Sequence, residues 1–325
     1  MLNKKALVVG INEYPDSPLS GCVSDALKVA TLLERNGDNS VNFSVNMLTD
    51  TQVGTKGKLK GAIRDCFSGD EEVSLFYFSG HGFIDAIGGY IVTPDYSEDD
   101  WGVSMEEILT IINKSECRNK VVILDCCYAG FLGTATSIGQ TAIIQEGVTI
   151  LSASRSTEPS IETGGQSVFT ALLLDALAGG ASDITGHITP GGIYAYVDKA
   201  LGPWKQRPMF KTNVSRFCSI RDVKPQVENE VLHKLIEYFP DPKKPHQLDP
   251  SYEPTNSLLV DHKVIEPYAD PNNVKIFRDM QKLESIGLVA PCDEEHLYFA
   301  AMNLKACRLT CVGQHYWRLV YDKVI

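Results

Sequence analysis

Val73-Ser-Leu-Phe-Tyr-Phe-Ser-Gly-His-Gly82 and Lys120-Val-Val-Ile-Leu-Asp-Cys-Cys-Tyr-Ala-Gly130 decide how this chain reads. Each opens with an apolar run of strand length and closes on a histidine or a cysteine, with glycine nearby. Apolar runs that short read as strands of a covered, mostly parallel sheet. A reactive side chain placed just past such a strand stands at the sheet's carboxyl edge, where functional loops of α/β folds gather.

Working outward, the first two thirds of the chain keep one rhythm. Ala6–Ile11 reads as a strand and Ser24–Asn36 as a helix with apolar Ala26, Leu27, Val29, Leu32 and Leu33 at helical spacing. Phe43–Leu48 is a strand, Lys56–Phe67 a helix, and Met105–Asn113 a helix between the two decisive strands. Val148–Ser152 and Ser167–Ala178 continue the alternation. The expectation is an α/β fold, a mostly parallel sheet flanked by helices over residues 1–222.

The two strand ends carry the chemistry. A thiolate attacks a carbonyl only when it is exposed and has a base nearby. His81 and Cys127 supply that pair, brought together by the fold. Gly82 lets a substrate backbone approach, and its amide with that of Cys127 could face a developing oxyanion. Cys126 and Cys127 are adjacent, and side chains alternate along a strand, so only one of them turns toward His81.

Leu19-Ser-Gly-Cys-Val-Ser-Asp-Ala26, Ser79-Gly-His-Gly82 and Asp125-Cys-Cys-Tyr-Ala-Gly130, taken in this order, resemble the caspase-like cysteine peptidases, in particular the metacaspase and bacterial orthocaspase branch. Ile150–Glu162, Phe169–Leu173, Ile188–Val197 and Gln206-Arg-Pro208 extend the likeness over about residues 3 to 220. The motif's register implies Cys127 as nucleophile, with Cys126 at the small position before it. The resemblance also implies an acidic pocket of Asp25 and Asp125, lined by Ser79 and Cys22, with Glu162 at a recurring acidic position. Such a pocket selects Arg, then Lys, on the amino side of the scissile bond. Taken alone, Asp25 reads equally as a helix N-terminal residue favoured by the macrodipole.

Many members of the family are cut between their two halves. Here the corresponding stretch, Phe131 to Gly147, contains no Lys, Arg or Asp and only Glu146 as an acid. An enzyme selecting basic residues cannot cut itself there, so activity as one uncut chain is expected. Cuts near Lys205, Arg207 or Lys243-Lys244 remain open. Some metacaspases need calcium, for which Asp95 and Glu98-Asp99-Asp100 are the candidates. Three acids in a row also read as a solvated turn, and no EF-hand spacing occurs. No metal or other cofactor is expected, although calcium stays open.

From about Val223 the composition changes. Glu228–Tyr238 reads as a helix, and Pro240 to Pro254 holds five prolines and reads as a linker or irregular arm. Val274–Ile286 is helical, Leu288–Ala290 and Leu297–Ala301 are strand-like, and a final helix runs through Val320. The expectation is a small winged-helix-like α+β module over 272–325, joined by 223–271. Cys292, His296, Cys307 and Cys311 match no zinc spacing, and Cys307-x-x-x-Cys311 suits packing on one helical turn. Lys275, Arg278 and Lys282 are the only basic group on its candidate recognition helix. A regulatory protein partner for residues 226–325 is therefore expected rather than nucleic acid.

Net charge is -11, which argues against a broad nucleic-acid or anionic-membrane surface. No stretch reaches the ~18 apolar residues that span a bilayer, and the N-terminus lacks a signal-peptide pattern. The nine cysteines show no framework spacing, so a reducing cytoplasm is the expected location. Two other functions fit parts of this sequence. One is a catalytically silent caspase-fold scaffold, the other a winged-helix DNA-binding regulator with an accessory peptidase domain. The first would bind a partner tightly with no activity on basic peptides; the second would show salt-dependent DNA binding by 226–325.

Overall fold

The structure, a computed structural model, describes residues 3–127, 129, 132, 144–153, 162–163, 166–202, 207–255 and 269–325, with only the backbone of 162, 163 and 166. The chain divides into two compact units, Met1–Lys224 and Pro225–Ile325.

The first unit begins with β1 (Lys4–Gly10), α1 (Cys22–Glu34), β2 (Ser44–Thr49), α2 (Asp50–Val53), α3 (Lys56–Cys66) and β3 (Val73–Ser79). A short meander follows, β4 (Gly82–Ile84), β5 (Gly89–Ser97) and β6 (Asp100–Ser104), then α4 (Met105–Asn113) and β7 (Asn119–Asp125). Beyond these lie β8 (Val148–Ser152), β9 (Glu162–Thr163), β10 (Gln166–Ser167), α5 (Val168–Asp175), β11 (His187–Ile188), α6 (Pro190–Leu201), β12 (Met209–Asn213) and β13 (Arg221–Asp222). Six strands form the central sheet in the order β12-β8-β7-β3-β1-β2. Its pairs are parallel except for the edge strand β12, which runs antiparallel to β8.

The period of two along each strand divides the core between the two faces of the sheet. Leu7, Val9, Phe76, Phe78, Val122 and Leu124 pack with Leu59 and Ile63 of α3 and Ile108 and Ile112 of α4. Their neighbours Ala6, Val8, Leu75, Tyr77, Val121 and Ile123 pack on the other face with Ala26, Val29 and Leu33 of α1 and Phe169 and Leu173 of α5. Because both faces are covered, β3 and β7 read as continuous apolar runs. Burying one such large apolar side chain stabilises the fold by about 1.5–3 kcal/mol. The meander β4–β6 was not read from the sequence, since glycine, proline and acids interrupt residues 82–104.

The second unit contains α7 (Asn229–His233), α8 (Leu235–Tyr238), β14 (His246–Gln247), α9 (Pro271–Ser285), β15 (Val289–Pro291), α10 (Leu297–Met302), β16 (Ala306–Leu309) and α11 (Cys311–Tyr321). β14, β16 and β15 form an antiparallel sheet in that order. The strand expected at Leu297–Ala301 is instead the helix α10. Its buried Leu297, Ala300 and Ala301 recur at helical spacing, and the Glu284 carboxylate accepts the Leu297 amide at 3.3 Å. β15 and β16 do pair, but across that helix rather than across a hairpin turn. The proline-rich arm is packed within this unit: Pro250, Ser251 and Tyr252 are buried, and His246 Nε2 lies 3.0 Å from the Tyr252 hydroxyl. Cys307 lies in β16 and Cys311 opens α11, so the two do not share a helical turn.

Candidate active site

β3 and β7 lie side by side with Ser79 opposite Asp125. Two residues further along each strand come His81 and Cys127, so both arrive at the same level of the sheet's carboxyl edge. The chains touch there through Gly82. A Cβ at Gly82 would come 2.0 Å from the Cys127 carbonyl oxygen and 3.1 Å from the Cys126 Sγ. Only a residue without a side chain lets the two strand tips approach this closely.

Backbone and ring contacts hold His81 in place. Its amide donates to the Tyr14 hydroxyl at 3.0 Å, and that hydroxyl donates to the Val92 carbonyl at 3.3 Å. The two rings lie 4.6 Å apart, and burial keeps the Tyr14 phenol protonated by raising its pKa. Nε2 of His81 is 2.7 Å from the Ser17 carbonyl. A carbonyl only accepts, so Nε2 carries the proton, and Nδ1 is the basic nitrogen of the neutral ring. Neither Tyr14 nor Ser17 was singled out from the sequence; a backbone carbonyl leaves no side-chain signature.

The two adjacent cysteines have different surroundings. Cys126 is fully buried within the core on the α3/α4 face of the sheet. Burial, and then the charge of Cys127, push its thiol well above the ordinary range. A thiol held protonated in a dry core is inert. Cys127, one residue on, is partly exposed.

Asp25, Asp125, Ser79 and Cys22 line one small pocket together with Gly21, Gly80 and Ser167. Both carboxylates are buried, Asp25 at 1% exposure and Asp125 at 4%. Asp25 comes from the first turn of α1 and accepts the Ser167 amide at 3.2 Å. Asp125 accepts the Thr170 hydroxyl at 2.6 Å, and Thr170 is 2.6 Å from the Tyr77 hydroxyl. With Thr170 donating to Asp125, Tyr77 donates to Thr170, a relay directed at the carboxylate. Burial and the charge of Asp125 hold the Tyr77 phenol well above its usual range, so that donor keeps its proton. α1 and α5 both begin beside the pocket, and the partial positive charge of helix N-termini favours anions there. Thr170 and Ser167 are further site residues that the sequence reading did not name.

Glu162 pairs backbone to backbone with Ser167, which lines this pocket, but its side chain lies outside the described residues. The loop expected to remain uncut also falls largely outside them, apart from Leu132 and residues 144–147. The acids considered for calcium are partly engaged elsewhere. Asp95 accepts the Lys56 amide at the start of α3, and Asp100 pairs with the Lys56 ammonium at 2.8 Å. Among the described residues no group of three His, Cys, Asp or Glu side chains could hold a metal. No helix among them is long and apolar enough to cross a membrane.

A family model of the caspase domain, Peptidase_C14, matches residues 3–217. Solved structures share the fold, among them the following two. One is a structural-genomics target protein from Geobacter sulfurreducens, with a TM-score of 0.51 and 17% identity, covering 68% of this chain and 97% of its own. The other is caspase-1 from Spodoptera frugiperda, with a TM-score of 0.50 and 11% identity, covering 68% of this chain and 91% of its own. No curated protein matches the chain.

Proposed function

This chain belongs to the caspase-domain family of cysteine peptidases, and from that premise we propose that it is an endopeptidase cleaving after Arg, and then Lys, by a Cys127–His81 dyad. The observation that carries the specificity is the pairing of two buried carboxylates, Asp25 and Asp125, in one pocket with Gly80, the residue before His81. Desolvated carboxylates recognise a guanidinium far better than an apolar or acidic side chain, and the Arg fork can engage both at once.

In this reading the Cys127 thiolate attacks the scissile carbonyl and forms the S–C bond. His81 Nδ1 takes the thiol proton and delivers it to the leaving amine as the C–N bond breaks. The Ser17 carbonyl fixes the imidazole in the tautomer this transfer needs. The amides of Gly82 and Cys127 face the oxyanion. Water, activated by the same imidazole, then hydrolyses the thioester. The proposal includes membership of the metacaspase and orthocaspase branch, whose motifs this chain resembles, and action as a single uncut chain in a reducing compartment such as the cytoplasm, with no metal required apart from the calcium that the assay tests.

Residues 1–222 form the peptidase domain of this proposal, with 226–325 as a regulatory module for a protein partner. In support, the second unit has its own core around Phe277, Met280 and Leu283, while Phe299, Val312 and Tyr321 are exposed.

The test is hydrolysis of fluorogenic peptides ending in Arg, Lys or Asp, beside a Cys127→Ala control, with and without calcium. Cleavage after Arg and Lys that disappears in the control is expected. Cleavage only after Asp would overturn the pocket assignment, and silence on every peptide would favour the scaffold reading.

A further inference from the structure

His81 does not end at a bare strand tip: Gly82 leads at once into β4, and the aromatic ring of Phe83 stacks on Trp101 of β6 at 3.9 Å. Tyr96 stacks on the other ring partner, 5.8 Å from Trp101 and nearly parallel to it. All three side chains remain half-buried, so part of the stack stays open to solvent. The stack is anchored on both sides. Tyr96 donates its hydroxyl to Asp16 at 2.8 Å, next to the Ser17 whose carbonyl orients His81. Beside Trp101, Gly102 adopts a φ of 136°, and a Cβ there would come 2.4 Å from the Ile91 carbonyl, so this position of β6 requires glycine.

The stack and the acidic pocket lie on opposite faces of the sheet. Asp25 and Asp125 meet α1 and α5, whereas Phe83 and Tyr96 pack against the core on the α3/α4 side. Between them stand Gly82 and Cys127. A peptide whose basic residue enters the pocket presents its carbonyl at Cys127 and its leaving amine to His81. Continuing away from the pocket's face, the chain beyond that amine would run toward the side of the sheet that carries Phe83 and Tyr96, with Trp101 stacked on them.

We propose that Phe83, Trp101 and Tyr96 form the subsite for the residue just after the scissile bond and select an aromatic or large aliphatic side chain there. The proposal rests on the peptidase reading above. An open stack of rings offers a large apolar surface and an aromatic face for edge or offset stacking, and it offers a glycine or an acid little.

The experiment uses the full chain and internally quenched peptides of one sequence, with Arg fixed before the scissile bond and Phe, Leu, Gly or Asp after it. A wild-type kcat/KM ratio of Phe to Gly of about tenfold or more is expected, the scale of one well-filled apolar contact. In Trp101→Ala that ratio should fall to near one, and in Trp101→Phe it should recover in large part. A ratio of rates does not depend on how much of a variant folds. A wild-type ratio near one, or one that survives Trp101→Ala, overturns the subsite while leaving the peptidase reading intact. Absence of any Cys127-dependent cleavage overturns the peptidase reading and the subsite with it.

Discussion

Gly82 meets the backbone of Cys127 so closely that a single added methyl group would sit 2.0 Å from the cysteine's carbonyl oxygen. The proposed base and nucleophile thus come from strand tips that touch through their main chains. Gly82→Ala is expected to push the two tips apart. A displacement near 1 Å at a reacting centre can lower the rate about 100-fold, and overpacking costs about 1–3 kcal/mol of stability. Steady-state kinetics and a thermal melt on the same preparation would check both; unchanged kinetics would mean the contact is slack.

The pocket's charge should decide what enters it. Asp25→Asn and Asp125→Asn each remove one carboxylate while keeping its shape. A charge-assisted hydrogen bond is worth about 1.5–3 kcal/mol, so kcat/KM on an Arg peptide should fall about 10- to 100-fold in each. Thr170→Val, which removes the relay from Tyr77 to Asp125, should give a smaller loss in the same direction. Wild-type rates on Arg peptides in either Asp variant would exclude that carboxylate from the pocket's function.

Alkylation distinguishes the two adjacent thiols. Cys126 is buried and its thiol held protonated, while Cys127 is partly exposed and Cys311 exposed. Iodoacetamide at pH 8 should label Cys127 and Cys311 and leave Cys126 unmodified by mass spectrometry, and labelling of Cys127 should abolish peptidase activity. Modification of Cys126 in the folded protein would reverse the assignment of the nucleophile.

Sequence patterning showed the fold where burial was uniform and failed where it was not. β3 and β7 are covered on both faces, so their apolar runs stand out against any background. The period of two then separates Cys126, in the core, from Cys127 at the surface. The meander β4–β6 is a separate small sheet that packs on α3 and α4 and leaves several of its residues exposed, and its mixture of Tyr, Pro and acids carries no clean period. α10 was misread because a six-residue apolar run has too few turns to declare its period, and the Glu284 carboxylate that meets its first amide lies thirteen positions earlier. At the site, the side chains carrying charge or sulfur were visible in the motifs. The Ser17 carbonyl, whose contribution is purely one of position, was not, and Tyr14, more than sixty residues before His81, carries no motif of its own.

Tyr14 provides a test of positioning apart from chemistry. Its hydroxyl accepts the His81 amide and donates to Val92. Tyr14→Phe leaves both backbone groups without that partner, which costs about 1–3 kcal/mol of stability. Because the substrate pocket is untouched, kcat should fall about tenfold with KM little changed. A rise in KM with kcat preserved would place Tyr14 in substrate binding instead.

Buried thiols make the first unit's stability fall on the alkaline side. Cys66 is 7% exposed, and burial pushes its thiol up to about 12 from an ordinary value of 9.0. Above pH 9 the unfolded chain releases this proton while the folded chain keeps it, so the unfolded state gains and stability drops with rising pH until the folded value is reached. By pH 10 the loss amounts to about 1.4 kcal/mol for one such thiol, compared with almost nothing at pH 8. Cys126, shifted in the same direction, adds to the effect. Urea unfolding at pH 8 and pH 10 should show the drop, and Cys66→Ala should shrink the difference between the two pH values by about that amount, whatever it does to stability at pH 8. A difference unaltered by the substitution would mean that the Cys66 thiol ionises as readily in the folded chain as in the unfolded one.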